Sequence, residues 1–260
     1  MGRSIAVARV LVCSSLAAYC QPATPLPTFE VASVKLNKSG VRGGSLEFSK
    51  GGERFTAINM PFGALILVAY NITVRQLSDP PEFVSEKYDV VAKAEHPVHS
   101  EEMLRMLQAL LADRFKLVVR RETREVPVYA LTLARGGPKL QPTASPGNPA
   151  TVPRTPAHAS GNEVRSGHVA FQAESMPDFA WALTRMAGIG DRIVVDETGL
   201  RDRYDFELKF GRDHLGTENV PSQDPSIFSA LQEQLGLKLE SKKAPVEFLI
   251  IDHVERPSEN

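Results

Sequence analysis

The sequence predicts an α+β fold: two tandem β-α-β-β-α-β-β-like units, each a small mixed sheet with two helices, joined by a Pro-rich linker. Three observations predict it. Short motifs recur at one fixed separation. Within each copy, apolar residues switch between a period of two and a helical period. Between the copies, Gln141 to Asn162 is rich in Pro, Ala, Ser, Thr and Gly and has no apolar period.

Phe55-Thr56-Ala57-Ile58-Asn59-Met60-Pro61 returns as Phe171-Gln172-Ala173-Glu174-Ser175-Met176-Pro177. Tyr88-Asp89 with Lys93 returns as Tyr204-Asp205 with Lys209, all displaced by the same 116 positions. Leu107-Gln108, Lys116-Leu117 and Pro127-Val128 match Leu231-Gln232, Lys238-Leu239 and Pro245-Val246 after small gaps. One displacement shared by separate motifs reads as an internal duplication. Units of about 100 residues are large enough to bury their own cores. The expected organisation is a signal peptide over 1–22, a first α+β unit over 27–140, a linker over 141–162 and a second unit over 163–257.

Met1-Gly2-Arg3 is a short basic start, and Ile5 to Cys20 is mostly apolar and small, interrupted by Arg9. Gln21-Pro22-Ala23-Thr24-Pro25 then turns polar. This is the layout of a secretory signal peptide, short for a membrane span. It places the mature chain outside the cytosol, secreted or periplasmic, with no span after signal removal. Ala17-Ala18-Tyr19-Cys20 resembles a lipoprotein attachment box, with Tyr19 a poor fit before the cysteine. An uncleaved anchor is the other reading. Both cysteines, Cys13 and Cys20, lie here. The folded body therefore has no disulfide framework, thiol nucleophile or cysteine-ligated zinc. A net charge of −1 without long runs of one sign gives no reason to expect nucleic acid as a partner.

In chain order, Phe29 to Leu36 alternates and carries the β-branched Val31 and Val34, a strand. Gly40 to Gly52 reads as a loop with a short strand at Leu46-Glu47-Phe48. Arg54–Ile58 is a strand, and Pro61 opens a helix with Phe62, Leu65, Ile66 and Ala69 on one face. Lys87–Ala94 is a strand. Ser100 caps a helix whose stripe is Met103, Leu104, Leu107, Leu110 and Leu111, with Glu101 and Glu102 at its positive end. Phe115–Arg121 and Val126–Leu133 are expected to form a hairpin about Thr123 and Arg124. The second unit repeats the order. It has a strand at His168–Ala173 and a helix at Pro177–Ala187 burying Phe179, Ala182, Leu183 and Met186, closed by Gly188. A short strand at Arg192–Val195 and a strand at Arg203–Phe210 follow. Then comes a helix capped by Asp224 and stopped by Gly236, and a hairpin of Leu237–Lys242 with Val246–His253.

Several of these stretches carry a family likeness. Phe29-Glu30-Val31-Ala32-Ser33-Val34-Lys35, Phe55 to Pro61, Glu86 to Ala94 and Leu110 to Leu117 resemble the soil-associated protein family. So do Arg121 to Glu125, Val128-Tyr129-Ala130-Leu131, Val195 to Leu200 and Tyr204-Asp205-Phe206. The resemblance covers nearly all of the chain after the signal segment. Arg201-Asp202 departs from the small residue or Gly that the family pattern favours after the Thr-Gly-Leu turn. It implies an exported protein of a set expanded in acidobacterial genomes, sometimes a C-terminal region behind sensor-type membrane metallopeptidases resembling β-lactam receptors. It implies no catalytic residues. More distantly, each unit is similar in element order to the short N-terminal modules of secretins and TonB-dependent receptors, which bind protein partners.

The remaining polar residues offer few combinations that could carry chemistry. His96 and His99 flank Pro97, and a metal there would need Glu101 or Glu102 as a further ligand; a solvated turn is the simpler reading. There is no His-Glu-x-x-His, no Gly-x-Ser-x-Gly about Ser166, and no Lys-Ser/Thr after Gly40-Val41-Arg42-Gly43-Gly44. Asp191, Asp196, Glu197, Asp202 and Asp205 are the densest acidic stretch. They do not match a calcium loop, and Asp196 to Gly199 reads as an Asx-type turn. Tyr88-Asp89 and Tyr204-Asp205 put Tyr and Asp on opposite sheet faces, Tyr to the core. Phe62, Phe179 and Trp181 read as core. No catalytic residue, cofactor or metal is assigned. The leading expectation is a non-catalytic binding module of the cell envelope with a protein partner, offering an open strand edge or apolar patch. The alternative is an extracytoplasmic hydrolase with a polar site between the units, built from His96, His99 and the Asp196–Asp205 stretch.

Overall fold

The structure is a computed structural model describing residues 26–49, 51–143, 167–186, 189–211 and 224–257. The expected signal segment, most of the expected linker, Ala187-Gly188, His158 and His214 lie outside these residues. The fold is mixed α+β. Its first sheet has the order β1-β5-β3-β2, from β1 (Val31–Leu36), β2 (Ser45–Phe48), β3 (Arg54–Pro61) and β5 (Lys87–Lys93). Two helices pack on it. α1 (Phe62–Tyr70) buries Phe62, Leu65, Ile66 and Ala69, the stripe expected from its spacing, and ends at Asn71 in the left-handed conformation. α2 (Ser100–Arg114) buries Met103, Leu107, Leu110 and Leu111 and begins one residue earlier than expected, with His99 at the N-cap position. Phe62 stacks on Phe115 at 4.4 Å, and Tyr88 meets Phe115 edge-on at 5.1 Å.

The second core is built likewise. β8 (His168–Glu174) pairs with β10 (Tyr204–Lys209), which also pairs with the two-residue β7 (Gln141–Pro142). The expected linker thus begins in a strand. α3 (Met176–Arg185) is capped by Ser175, whose hydroxyl accepts from the Asp178 amide. α4 (Ile227–Ala230) continues as a π-helical turn over Leu231–Leu235 and stops at Gly236. Its cap is Ser226, not Asp224 as expected, because Ser226 stands one residue before the first helical turn and receives the Ser229 amide. Phe171, Phe179 and Phe206 lie ring to ring at 4.8–5.1 Å.

The largest departure concerns the two expected hairpins. Neither forms. Residues Val118–Leu133 are one continuous strand, β6, and Leu237–His253 are another, β11. They pair antiparallel with each other along their whole length. The two expected hairpins are replaced by a third, composite sheet, β4-β11-β6-β9, beside the separate sheet of each half; its short edges are β4 (Leu77–Ser78) and β9 (Ile193–Asp196), both parallel to their neighbours. Pro127 lies within the expected strand Val126–Leu133 and Pro245 in the expected turn of the last hairpin. The ladder bond from Ala134 N to Gly236 O fixes the hydrogen-bonded pairs at even positions of β6. Both prolines therefore sit in non-hydrogen-bonded pairs, opposite Lys243 and Glu125, with their nitrogens facing flanks where neither β9 nor β4 is paired. A missing N–H costs no ladder bond there.

Candidate functional site

The Tyr-Asp pairs behave alike in both halves. Tyr88 and Tyr204 are buried. Burial and the Glu86 carboxylate at 3.0 Å push the Tyr88 phenol up to about 12. The aspartates point the other way and hold bulges. Asp89 Oδ1 accepts from the amide of Asn59 at 2.7 Å and from Asn37 Nδ2 at 2.8 Å. Asp205 Oδ1 accepts from the amide of Ala173 at 2.6 Å and from Thr143 Oγ1 at 3.1 Å. Asn59 and Ala173 both have positive φ, 55° and 48°, where the strand breaks its register. The carboxylate thus satisfies an amide turned out of the ladder.

The other acidic candidates also have local partners. Asp196 Oδ1 accepts from the amide and hydroxyl of Thr198 at 2.9 and 2.8 Å, with Gly199 at φ 71°, as the turn reading expects. Glu197 holds Lys242 at 2.7 Å, and Asp191 lies 3.8 Å from Arg75. Asp202, His96 and His99 are exposed. The histidines follow β5 in the first sheet, Asp196 ends β9 in the composite sheet, and Asp205 lies in β10. Among the described residues, no group of three or more His, Cys, Asp or Glu side chains is placed to hold a metal ion.

Two features that sequence reasoning missed stand out, and both lie on β8. The first is Glu174, at the junction of β8 and α3. Burial, helped by the nearby Asp178 carboxylate and opposed by Arg203, pushes its carboxyl up to about 7. Asp178 is engaged with the Ser175 hydroxyl at 2.5 Å, and Arg203 donates to the carbonyl of Ala173 at 2.7 Å. A signal for it was present, since Glu174 stands where the first copy has Ile58.

The second is the outer edge of β8. The bond from Phe210 N to Gly167 O sets the ladder phase, so Val169 and Phe171 direct their amides to β10. His168, Ala170 and Gln172 direct theirs the other way, where no strand is paired among the described residues. The first half differs at the corresponding place. There β2 covers β3, with Ser49 N bonded to Arg54 O and Glu47 opposite Thr56. The edge of β1 differs as well, because Arg114 reaches round to the outward carbonyl of Ala32 at 3.4 Å. Exposed apolar residues gather elsewhere, with Val31, Val91 and Ile58 on the solvent side of the first sheet.

Comparison with known proteins places this geometry in a family. The chain belongs to the family described as "Protein of unknown function (DUF3738)", which matches residues 63–254. The match begins in α1 and ends one residue beyond β11, so it takes in the second core, the composite sheet and the β8 edge of this DUF3738 member, and leaves out β1, β2 and β3 of the first sheet. No curated protein matches the chain, and no solved structure matches it. Among the described residues, no helix is long and apolar enough to cross a membrane.

Proposed function

We propose that this chain is an exported, non-catalytic binding module of the cell envelope that takes a protein partner by strand addition at the outer edge of β8. The carrying observation is the row of outward amides at His168, Ala170 and Gln172, on a seven-residue strand with neither Lys nor Pro. Those are the residues with which proteins blunt an open edge. The reading is supported by the fate of the acidic candidates, since Asp89, Asp205, Asp196 and Glu197 are occupied in holding bulges, a turn and an ion pair. The layout of residues 1–22 supports export, to the periplasm or beyond. The resemblances to the soil-associated family and, in element order, to secretin and TonB-receptor modules support an envelope role with protein partners.

The test is capture of partners from the native envelope with the full exported chain, beside Ala170→Pro. An identified protein retained by the first and lost with the second supports the reading. Equal retention by both counts against it. Fractionation of the tagged chain tests export, and a cytosolic protein would defeat that part.

One observation favours a hydrolase at a different place from the expected His96, His99 and Asp196–Asp205 set, the carboxyl of Glu174 raised to about 7 by burial, with Asp178 nearby. A carboxyl that burial raises toward neutrality can serve as a general acid. That reading requires an extracytoplasmic hydrolytic activity that Glu174→Gln abolishes while the fold stays intact.

A further inference from the structure

The partner's chemistry is written in the first half of the chain, and the inference rests on the strand-addition reading above. Ala170 and Gln172 stand 116 positions after Arg54 and Thr56. Arg54 and Thr56 are the residues of β3 that face outward to β2 and the residue after it, in the antiparallel register Phe48 to Phe55 and Glu47 to Thr56; the Arg54 amide donates to Ser49 Oγ at 2.9 Å and its carbonyl accepts from Ser49 N. Ser45 and Glu47 of β2 direct their amides to β3. Leu46 and Phe48 pack on the first core, Phe48 lying 5.2 Å from the ring of Phe55. Phe171 is the counterpart of Phe55. Its ring neighbours are Phe179 and Phe206, both from the second core itself. At the positions that the same displacement assigns to Ser45-Leu46-Glu47-Phe48, the second half carries Gly161-Asn162-Glu163-Val164. Asn162 replaces Leu46 and Gly161 replaces Ser45, a poorer strand in β propensity and in apolar alternation.

We propose that the outer edge of β8 accepts an antiparallel peptide strand of the β2 type, with apolar residues at alternate positions directed toward Phe171 and polar residues between them. Main-chain hydrogen bonds to Ala170 and Gln172 give such a strand its affinity, and the two apolar side chains give it its selectivity.

The probe is a synthetic peptide with the sequence of residues 43–50, added to the full mature chain. Amide exchange at residues 168–172 and titration calorimetry are the readouts. The expected results are at least fivefold slower exchange at Ala170 and Gln172, and at least tenfold weaker binding of the peptide carrying Leu46→Asn and Phe48→Asn. N-methylation of the peptide at its glutamate removes an amide aimed at β8 and abolishes binding, whereas N-methylation at its leucine leaves binding unchanged. These two peptides need no altered protein. Ala170→Pro removes a protein amide that faces the open edge and lowers affinity at least tenfold, its folding checked by circular dichroism.

No binding up to millimolar peptide overturns the proposal, as does equal loss with either N-methyl position. Edge amides already protected in the free monomer overturn it in favour of the chain's own residues. Protection that grows with protein concentration as the mass doubles overturns it in favour of a second copy. If the peptide fails while an envelope partner is still lost with Ala170→Pro, the β2-type chemistry falls and strand addition stands. If Ala170→Pro changes neither, both fall.

Discussion

The Asp89 carboxylate holds an amide that has no other place in the ladder, so its removal leaves that amide and the Asn37 side chain without their acceptor. Asp89→Ala is expected to cost about 2 kcal/mol by denaturant unfolding, the range for a lost charge-assisted bond with a stranded partner. Asp205→Ala, at an exposed position, is expected to cost about half as much. Equal, near-zero effects would show that the bulges do not depend on these carboxylates. Glu174 acts through its proton. Its ordinary value is 4.5 and its folded value about 7, so between those pH values the folded state keeps a proton that the unfolded state has lost. The contribution is complete below about 4.5 and is lost as pH rises toward 7 and beyond. Stability should therefore fall over that window and level above it. Glu174→Gln should flatten that part of the profile and gain about 1–2 kcal/mol at pH 8, allowing for solvent screening of a half-buried group. Melting temperatures measured from pH 4 to pH 9 check this, and an unchanged slope in Glu174→Gln would refute it.

At the scale of elements, α1, α2 and α3 were legible because each has a periodic apolar stripe and a recognisable start. Ser175 differs from the other starts, because it was visible as the counterpart of Asn59 before its capping role was. The long strands were illegible for a definite reason. Thr123, Arg124 and Glu125 have no apolar alternation, and Pro127 and Ala244-Pro245 carry turn chemistry. What makes them strands is pairing with residues more than 100 positions away, which no local pattern encodes. Open edges are unreadable for the same reason. Gly236 was legible as a stop, and the structure adds why it must be glycine. Its φ is 66°, and a Cβ there would lie 2.1 Å from the carbonyl oxygen of Gly137. Backbone cannot yield as a flexible side chain does. Gly236→Ala is expected to cost at least about 2 kcal/mol, adding the left-handed penalty to the clash. A cost below about 0.5 kcal/mol in urea unfolding would contradict the contact.

For the whole molecule, the crossed ribbon decides how the two cores share stability. β11 enters the second core with Leu237 and leaves through the first with Leu249 and Ile251, while β6 carries Leu131 into the second core and Val119 against the first. The displacement of 118 positions that relates Pro127-Val128 to Pro245-Val246 also relates Val126 to Ala244, which lie opposite each other. The ribbon is thus arranged about a local pseudo-two-fold axis at that pair, as a strand facing its own copy would be. Arg75 adds a second tie, donating to the carbonyls of Thr184 and Gly190 at 3.1 and 2.7 Å across the two halves. Neither core can lose its ribbon strands without exposing the other. The molecule should therefore unfold in one cooperative step despite its two separate cores. Leu249→Ala in the first core and Leu237→Ala in the second should each lower the single transition, by about 2–5 kcal/mol for a fully buried leucine. Neither should produce a second transition. Scanning calorimetry with tryptophan fluorescence checks this, since Trp181 lies on α3 and reports only on the second half. Coincident melting in both variants supports the shared ribbon. A Leu249→Ala transition that calorimetry sees and Trp181 does not would show two cores folding apart.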